Sequence, residues 1–218
     1  MKKVDIDAIY RVLLKETKNY NSPVVDLIAV QTEDPFKVLL ATILSARTKD
    51  EVTSKAAERL YGKVKSFNDL DKLSVKEIEE LIYPVGFYKT KARHLRLLPK
   101  IIKKEFNGNI PSTVEELIKL PGVGRKTANL VVAVGFHKPA IAVDTHVHKI
   151  FNRLGYVNTK TPFKTEMELR KKLPLKYWEK INKLFVAFGQ NICRPVSPYC
   201  SKCCIRKYCN KIGIGKNR

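Results

Sequence analysis

An all-α fold is what this sequence predicts, and three observations carry the prediction. Helix-start signals recur along the chain, apolar residues return at steps of three and four, and strand-type runs are scarce. Ser74-Val-Lys-Glu77 and Ser112-Thr-Val-Glu115 have the form of capping boxes, and Thr48-Lys-Asp-Glu51 is a third candidate. In each, a hydroxyl and a carboxylate satisfy amides that the first turn leaves orphaned. Asp34-Pro35 and Thr161-Pro162 set proline just after a capping residue, where its missing N–H costs nothing. The stretch 36–46 is apolar almost all round, which predicts a buried central helix. Trp178, Ile181, Phe185 and Phe188 mark one apolar face of a late helix, a pattern of core packing. Ile141-Ala-Val143 reads as a connector. The expectation is roughly ten helices joined by short turns.

Charge narrows the partners. The chain of 218 residues carries 42 Lys and Arg against 21 Asp and Glu, a formal net charge of +21. Such an excess favours phosphate contacts. From Lys180 to the C-terminus there is no acid, and Lys89, Lys91, Arg93, Arg96, Lys100, Lys103 and Lys104 form a second basic tract. Two such tracts resemble a surface that follows a nucleic-acid backbone. No stretch approaches the ~20 apolar residues needed to span a bilayer, so a membrane partner is not expected. The N-terminus meets Asp5 and Asp7 too soon for a signal peptide, which predicts an intracellular location, cytoplasm or nucleoid. A monomer is the default expectation.

All five cysteines fall between Cys193 and Cys209. A disulfide framework would distribute them to staple distant loops, so a metal is the better reading. Cys193, Cys200, Cys203 and Cys209 give C-x6-C-x2-C-x5-C, a set of thiolates able to hold a tetrahedral zinc or an iron–sulfur cluster. Cys204 is then a spare thiol.

Leu120-Pro121-Gly122-Val123-Gly124-Arg125-Lys126-Thr127-Ala128 lies between two helical patterns, 114–120 and 127–134. Pro121 ends the first helix, and the glycines allow backbone conformations closed to other residues. A turn bare of side chains, followed by helical N–H groups, suits a phosphate. Lys126 falls in the first turn of the second helix, where the dipole and Arg125 both oppose its charge, a setting that suits an amine nucleophile. Further on, Asp144 in Ala142-Val143-Asp144-Thr145-His146 precedes a helix over 147–154. It is placed to cap that helix, and a fixed carboxylate there can stabilise positive charge on a sugar ring.

Leu-Pro-Gly-Val-Gly-Arg-Lys-Thr-Ala, then Gly135 and Pro139, then Val-Asp-Thr-His, resembles the helix–hairpin–helix, Gly/Pro-rich loop and aspartate signature of endonuclease III. The resemblance runs from about Asp34 to the last cysteine, and the cysteine spacing matches that family's cluster loop. It implies a [4Fe–4S] cluster on Cys193, Cys200, Cys203 and Cys209. It also implies two helical lobes with a cleft between them, one over 27–134 and one formed by 1–26 with 135–218, the cluster loop being 193–209. Both catalytic residues would then sit at the lobe boundary. The implied activity is that of a bifunctional glycosylase and lyase on double-stranded DNA with a damaged base or abasic site. In it Lys126 is the nucleophile and Asp144 stabilises the cationic transition state. Gly122, Gly124, Arg125 and His146 would contact DNA. Arg47 stands where relatives commonly carry the glutamine that fills the gap left by a flipped base, and Phe87 where a leucine wedge is usual. The competing readings are a monofunctional mismatch glycosylase of the same superfamily, against which Lys126 counts, and a non-enzymatic hairpin module that binds DNA.

Overall fold

The computed structural model describes residues 2–20, 24–25, 28 and 34–218. Leu27, the expected start of the middle lobe, lies outside the described residues. Among the described residues every regular element is helical. None of the helices is long and apolar enough to cross a membrane.

The chain divides into two compact units, one of residues 24–138 and one of residues 1–23 with 139–218. The first is built from α2 (Pro35–Ser45), α3 (Asp50–Lys63), α4 (Phe67–Lys72), α5 (Val75–Ile82), α6 (Tyr88–Phe106), α7 (Val114–Leu117) and α8 (Arg125–Leu130). α8 runs on into a π-helical turn, Val131–Gly135. α2 buries Phe36 and the whole run from Val38 to Leu44, as its sequence predicts. It forms the centre of this unit, with Ala56, Leu60, Leu95 and Leu98 also fully buried in it.

The second unit comprises α1 (Ile6–Glu16), α9 (Thr145–Leu154), α10 (Pro162–Lys172) and α11 (Trp178–Asn191). Its core joins Ile9 and Leu13 of α1 to Phe151 of α9 and to Ile181, Phe185 and Phe188 of α11. Phe151 and Phe185 stack with ring centroids 4.6 Å apart.

The caps test the local reading. Asp34 accepts from the Phe36 amide and Thr161 from that of Lys164, each ahead of its proline. Ser74 and Glu77 complete a capping box in both directions. The box expected at Ser112–Glu115 is shifted by one residue: Thr113 caps α7, accepting from the amide of Glu116. Thr48 does not cap α3; the N-cap is Lys49, with no side-chain bond, because the Thr48 hydroxyl is engaged elsewhere.

Candidate functional site

The hairpin occupies Leu120 to Gly124, and α8 opens directly behind it. The Val123 amide closes the turn on the Leu120 carbonyl at 3.1 Å. Gly122 has φ +78°, and a Cβ there would meet His94 Nδ1 of α6 at 2.8 Å, so glycine is required twice over. Gly124 departs from expectation. It is the N-cap of α8 with φ −88°, and a Cβ on it would meet nothing within 4 Å, so the fold itself places no demand for glycine there. Arg125 and Lys126 are the first two residues of α8, and Lys126 is exposed.

Asp144 is the N-cap of α9: its Oδ1 accepts from the Val147 amide at 2.8 Å. No protein donor among the described residues reaches its Oδ2. Two residues on, the His146 ring lies against α11, where a Cβ on Gly189 would come within 2.4 Å of its Nδ1. His146 is therefore half-buried rather than freely displayed.

Arg47 and Phe87, read separately in the sequence, stand together. The Arg47 guanidinium lies 5.5 Å from the centroid of the Phe87 ring, within cation–π range. Both carry left-handed backbone, φ +54° and +58°, and Phe87 is 62% exposed. Gly86 packs so tightly on this turn that a Cβ would fall 2.5 Å from the Arg47 carbonyl oxygen.

Cys193, Cys200, Cys203 and Cys209 line one small pocket, walled by Ile150, Leu154, Phe188 and Ile205. Cys204 is not among its lining residues. All five cysteines are free thiols. The Arg153 guanidinium, from α9, fixes the start of this loop, donating to the Arg194 and Pro195 carbonyls at 2.8 Å and to Cys193 Sγ at 3.3 Å. The Lys211 amide donates to Cys209 Sγ, also at 3.3 Å. Burial raises the Cys193 and Cys209 thiols and pushes Cys203 up to about 12. A cation binding here would therefore displace protons. Four soft sulfur donors facing one apolar pocket, with N–H groups aimed at two of them, suit an iron–sulfur cluster. Among the described residues no group of three or more His, Cys, Asp or Glu is placed to hold a metal ion.

Residues 40–175 match the HhH-GPD superfamily base excision DNA repair protein family. Endonuclease III of Thermotoga maritima is 47% identical over 176 residues, which is 81% of this chain and 83% of that protein. The chain belongs to the endonuclease III family. Its fold superposes on a trapped endonuclease III–DNA covalent intermediate with a TM-score of 0.76, at 37% identity, covering 82% of this chain and 84% of the other. A non-covalent endonuclease III–DNA complex gives 0.81 at 33% identity, covering 94% of each.

Two residues of this family member escaped the sequence reading. The first is Asp50, at the start of α3, whose carboxylate accepts from the Val24 amide at 3.3 Å. Burial raises its carboxyl above the ordinary value, while the Val24 amide and then the Lys126 ammonium hold it down. An acid therefore lies in electrostatic reach of Lys126 within its own unit.

The second is Lys91. Counted as part of a basic surface tract, it is in fact 7% exposed. Its ammonium donates to the carbonyls of Leu44 at 2.8 Å and Ala46 at 2.6 Å, and to Thr48 Oγ1 at 3.2 Å. The signal was present in the helix period: Lys91, Leu95, Leu98 and Ile102 share one face of α6 and all are buried. Desolvation pushes Lys91 down from 10.5 to about 8. Between those values the unfolded chain holds this proton more tightly than the folded one, so Lys91 makes stability rise with pH across that window. Urea unfolding at about pH 7 and about pH 9.5 checks the sign; the rise should be smaller in Lys91→Met.

The glycines separate fold from function. Gly122→Ala should cost about 1–2 kcal/mol for the left-handed backbone, and more for the His94 contact. Gly124→Ala should leave the melting temperature almost unchanged yet weaken duplex binding several-fold, because its methyl would stand where the sequence reading expects a phosphate. Thermal melting and fluorescence anisotropy on one duplex test both. Equal binding by wild type and Gly124→Ala would remove this turn from the interface.

Proposed function

We propose that the protein is a bifunctional DNA glycosylase and AP lyase of base excision repair, acting inside the cell on oxidised pyrimidines such as thymine glycol in double-stranded DNA. The observation that carries this reading is Lys126 in the first turn behind a Pro-Gly-x-Gly hairpin, in a chain of the endonuclease III family. The DNA complexes of endonuclease III, one of them covalent, support both the partner and the chemistry.

In this reading the hairpin amides and Arg125 grip the phosphodiester, and a damaged nucleotide is turned out of the duplex. Arg47 and Phe87 fill the opened step. The Lys126 amine attacks C1′ of the deoxyribose, the C1′–N bond breaks, and the base leaves as it takes a proton. Asp144 stabilises the positive charge that grows on the sugar ring and assists proton transfer. Opening of the sugar gives a Schiff base between C1′ and Lys126. Loss of a C2′ proton then expels the 3′ phosphate, the β-elimination that nicks the strand. His146, two residues after Asp144 and set against Gly189, would contact DNA from the start of α9.

Cys193, Cys200, Cys203 and Cys209 would hold the [4Fe–4S] cluster. When bound, it supplies a rigid cross-link for a basic C-terminal segment, and no step of the reaction passes through it.

The test is a duplex carrying one thymine glycol, with base release and strand ends followed together. Release of the oxidised base accompanied by a strand end bearing an unsaturated aldehyde supports the reading. Base release with the abasic strand left intact would reassign the protein as a monofunctional glycosylase.

A further inference from the structure

We propose that Lys91 is a positioning residue for strand opening, its buried ammonium tying the turns that bear Arg47 and Phe87 into one rigid wedge. The inference rests on the reading of those two side chains as the groups that enter the opened step. Neither turn is self-supporting. Arg47 and Phe87 both hold left-handed backbone, which costs a residue with a Cβ roughly 1–2 kcal/mol, and both stand exposed. Conformations of that kind persist only where their surroundings over-determine them.

Lys91 supplies that determination from both ends. Its side chain reaches the Leu44 and Ala46 carbonyls at the C-terminal end of α2 and the Thr48 hydroxyl, the residues on either side of Arg47. Its own amide donates to the Phe87 carbonyl at 3.0 Å. Thr48 Oγ1 relays the connection, accepting from the Gly86 amide at 3.1 Å, and Gly86 in turn sits flush against the Arg47 carbonyl. The ring of contacts runs Arg47 turn, Lys91, Phe87, Gly86 and Thr48, and back to the Arg47 turn.

The electrostatics exclude a simple packing role. An ammonium surrounded by three neutral oxygens, with no carboxylate among the described residues in contact, is poorly compensated for leaving water. A methionine would fill the same space without that penalty. What only the cation provides is three directed donors that gather the Leu44 and Ala46 carbonyls and the Thr48 hydroxyl at the end of α2.

Single-turnover strand cleavage by Lys91→Met decides the matter, measured on one lesion in a duplex and on an abasic site in single-stranded DNA. The second substrate has no partner strand to open. Excision from the duplex should fall by about 10- to 100-fold, the cost of a wedge misplaced by about an ångström, while the single-stranded reaction stays within about twofold. Thr48→Val, which removes the hydroxyl joining Lys91 to the Gly86 amide but leaves the Lys91 bonds to the Leu44 and Ala46 carbonyls, should show the same duplex-selective loss to a smaller degree, and it guards against a Lys91→Met protein that fails to fold. Arg47→Ala with Phe87→Ala should also lose duplex excision, and adding Lys91→Met to that pair should cost nothing further. A Lys91→Met or Thr48→Val defect equal on both substrates, or one that adds in full to the wedge-less pair, overturns the proposal. Full duplex excision by Arg47→Ala with Phe87→Ala overturns the wedge reading itself, and this inference with it.

Discussion

Lys126→Gln should leave no borohydride-trapped adduct on a duplex carrying one thymine glycol, while wild type is captured covalently. Only a primary amine can form the C1′ imine that borohydride reduces, and glutamine keeps a polar side chain and the helix propensity of lysine without that amine. Lys126 is exposed in the first turn of α8, so its replacement should hardly move the melting temperature. The hairpin that precedes it stays intact, so duplex binding should change little. Against those two constants, excision with strand nicking should drop by at least about 10³-fold, as expected when a nucleophile is removed and only binding and electrostatic terms remain. An adduct that survives in Lys126→Gln would assign the imine to another amine. Base release without an adduct in wild type would remove the covalent step altogether.

That prediction rests on features a single sequence discloses well, because they are local. The caps Asp34, Ser74, Asp144 and Thr161 are each fixed by a side chain that bonds an amide two or three residues away, and each was readable as such. The buried α2 announced itself by an apolar run too long for a surface element. At 112–116 the same rule failed by one step, since Ser112 and Thr113 both offer a hydroxyl and Glu115 and Glu116 both a carboxylate. Thr48 failed for a different reason. Its hydroxyl serves Gly86 and Lys91, each about forty positions away, and no window along the chain contains those partners. The same holds for Lys91 itself: a run of basic residues hides the fact that one of them faces the apolar side of α6. Gly124 was over-read, because its bare Cα answers no steric need of the chain and becomes intelligible only if another backbone approaches. Long-range polar contacts and the space reserved for a ligand are thus where sequence reading ends.

Asp144 poses the opposite problem, since its local role is so clear that it could be its only role. Asparagine resolves this, being as good an N-cap as aspartate: its side-chain oxygen can accept from the Val147 amide just as Asp144 Oδ1 does at 2.8 Å. Asp144→Asn should therefore melt within about 0.5 kcal/mol of wild type, whereas Asp144→Ala, which loses the cap, should be weaker by about 1 kcal/mol. Excision should order the variants differently. Both lack the negative charge, so both should fall by about 10²- to 10³-fold on the duplex lesion, the usual cost of removing one charge-stabilising or proton-transferring group. Stability then tracks the cap and turnover tracks the charge, and comparing the two variants separates them. If Asp144→Asn turned over within about threefold of wild type, Asp144 would be a cap and nothing more, and the carboxylate serving Lys126 would have to be sought elsewhere. Asp50 would be the first candidate, as the acid already in electrostatic reach of that amine.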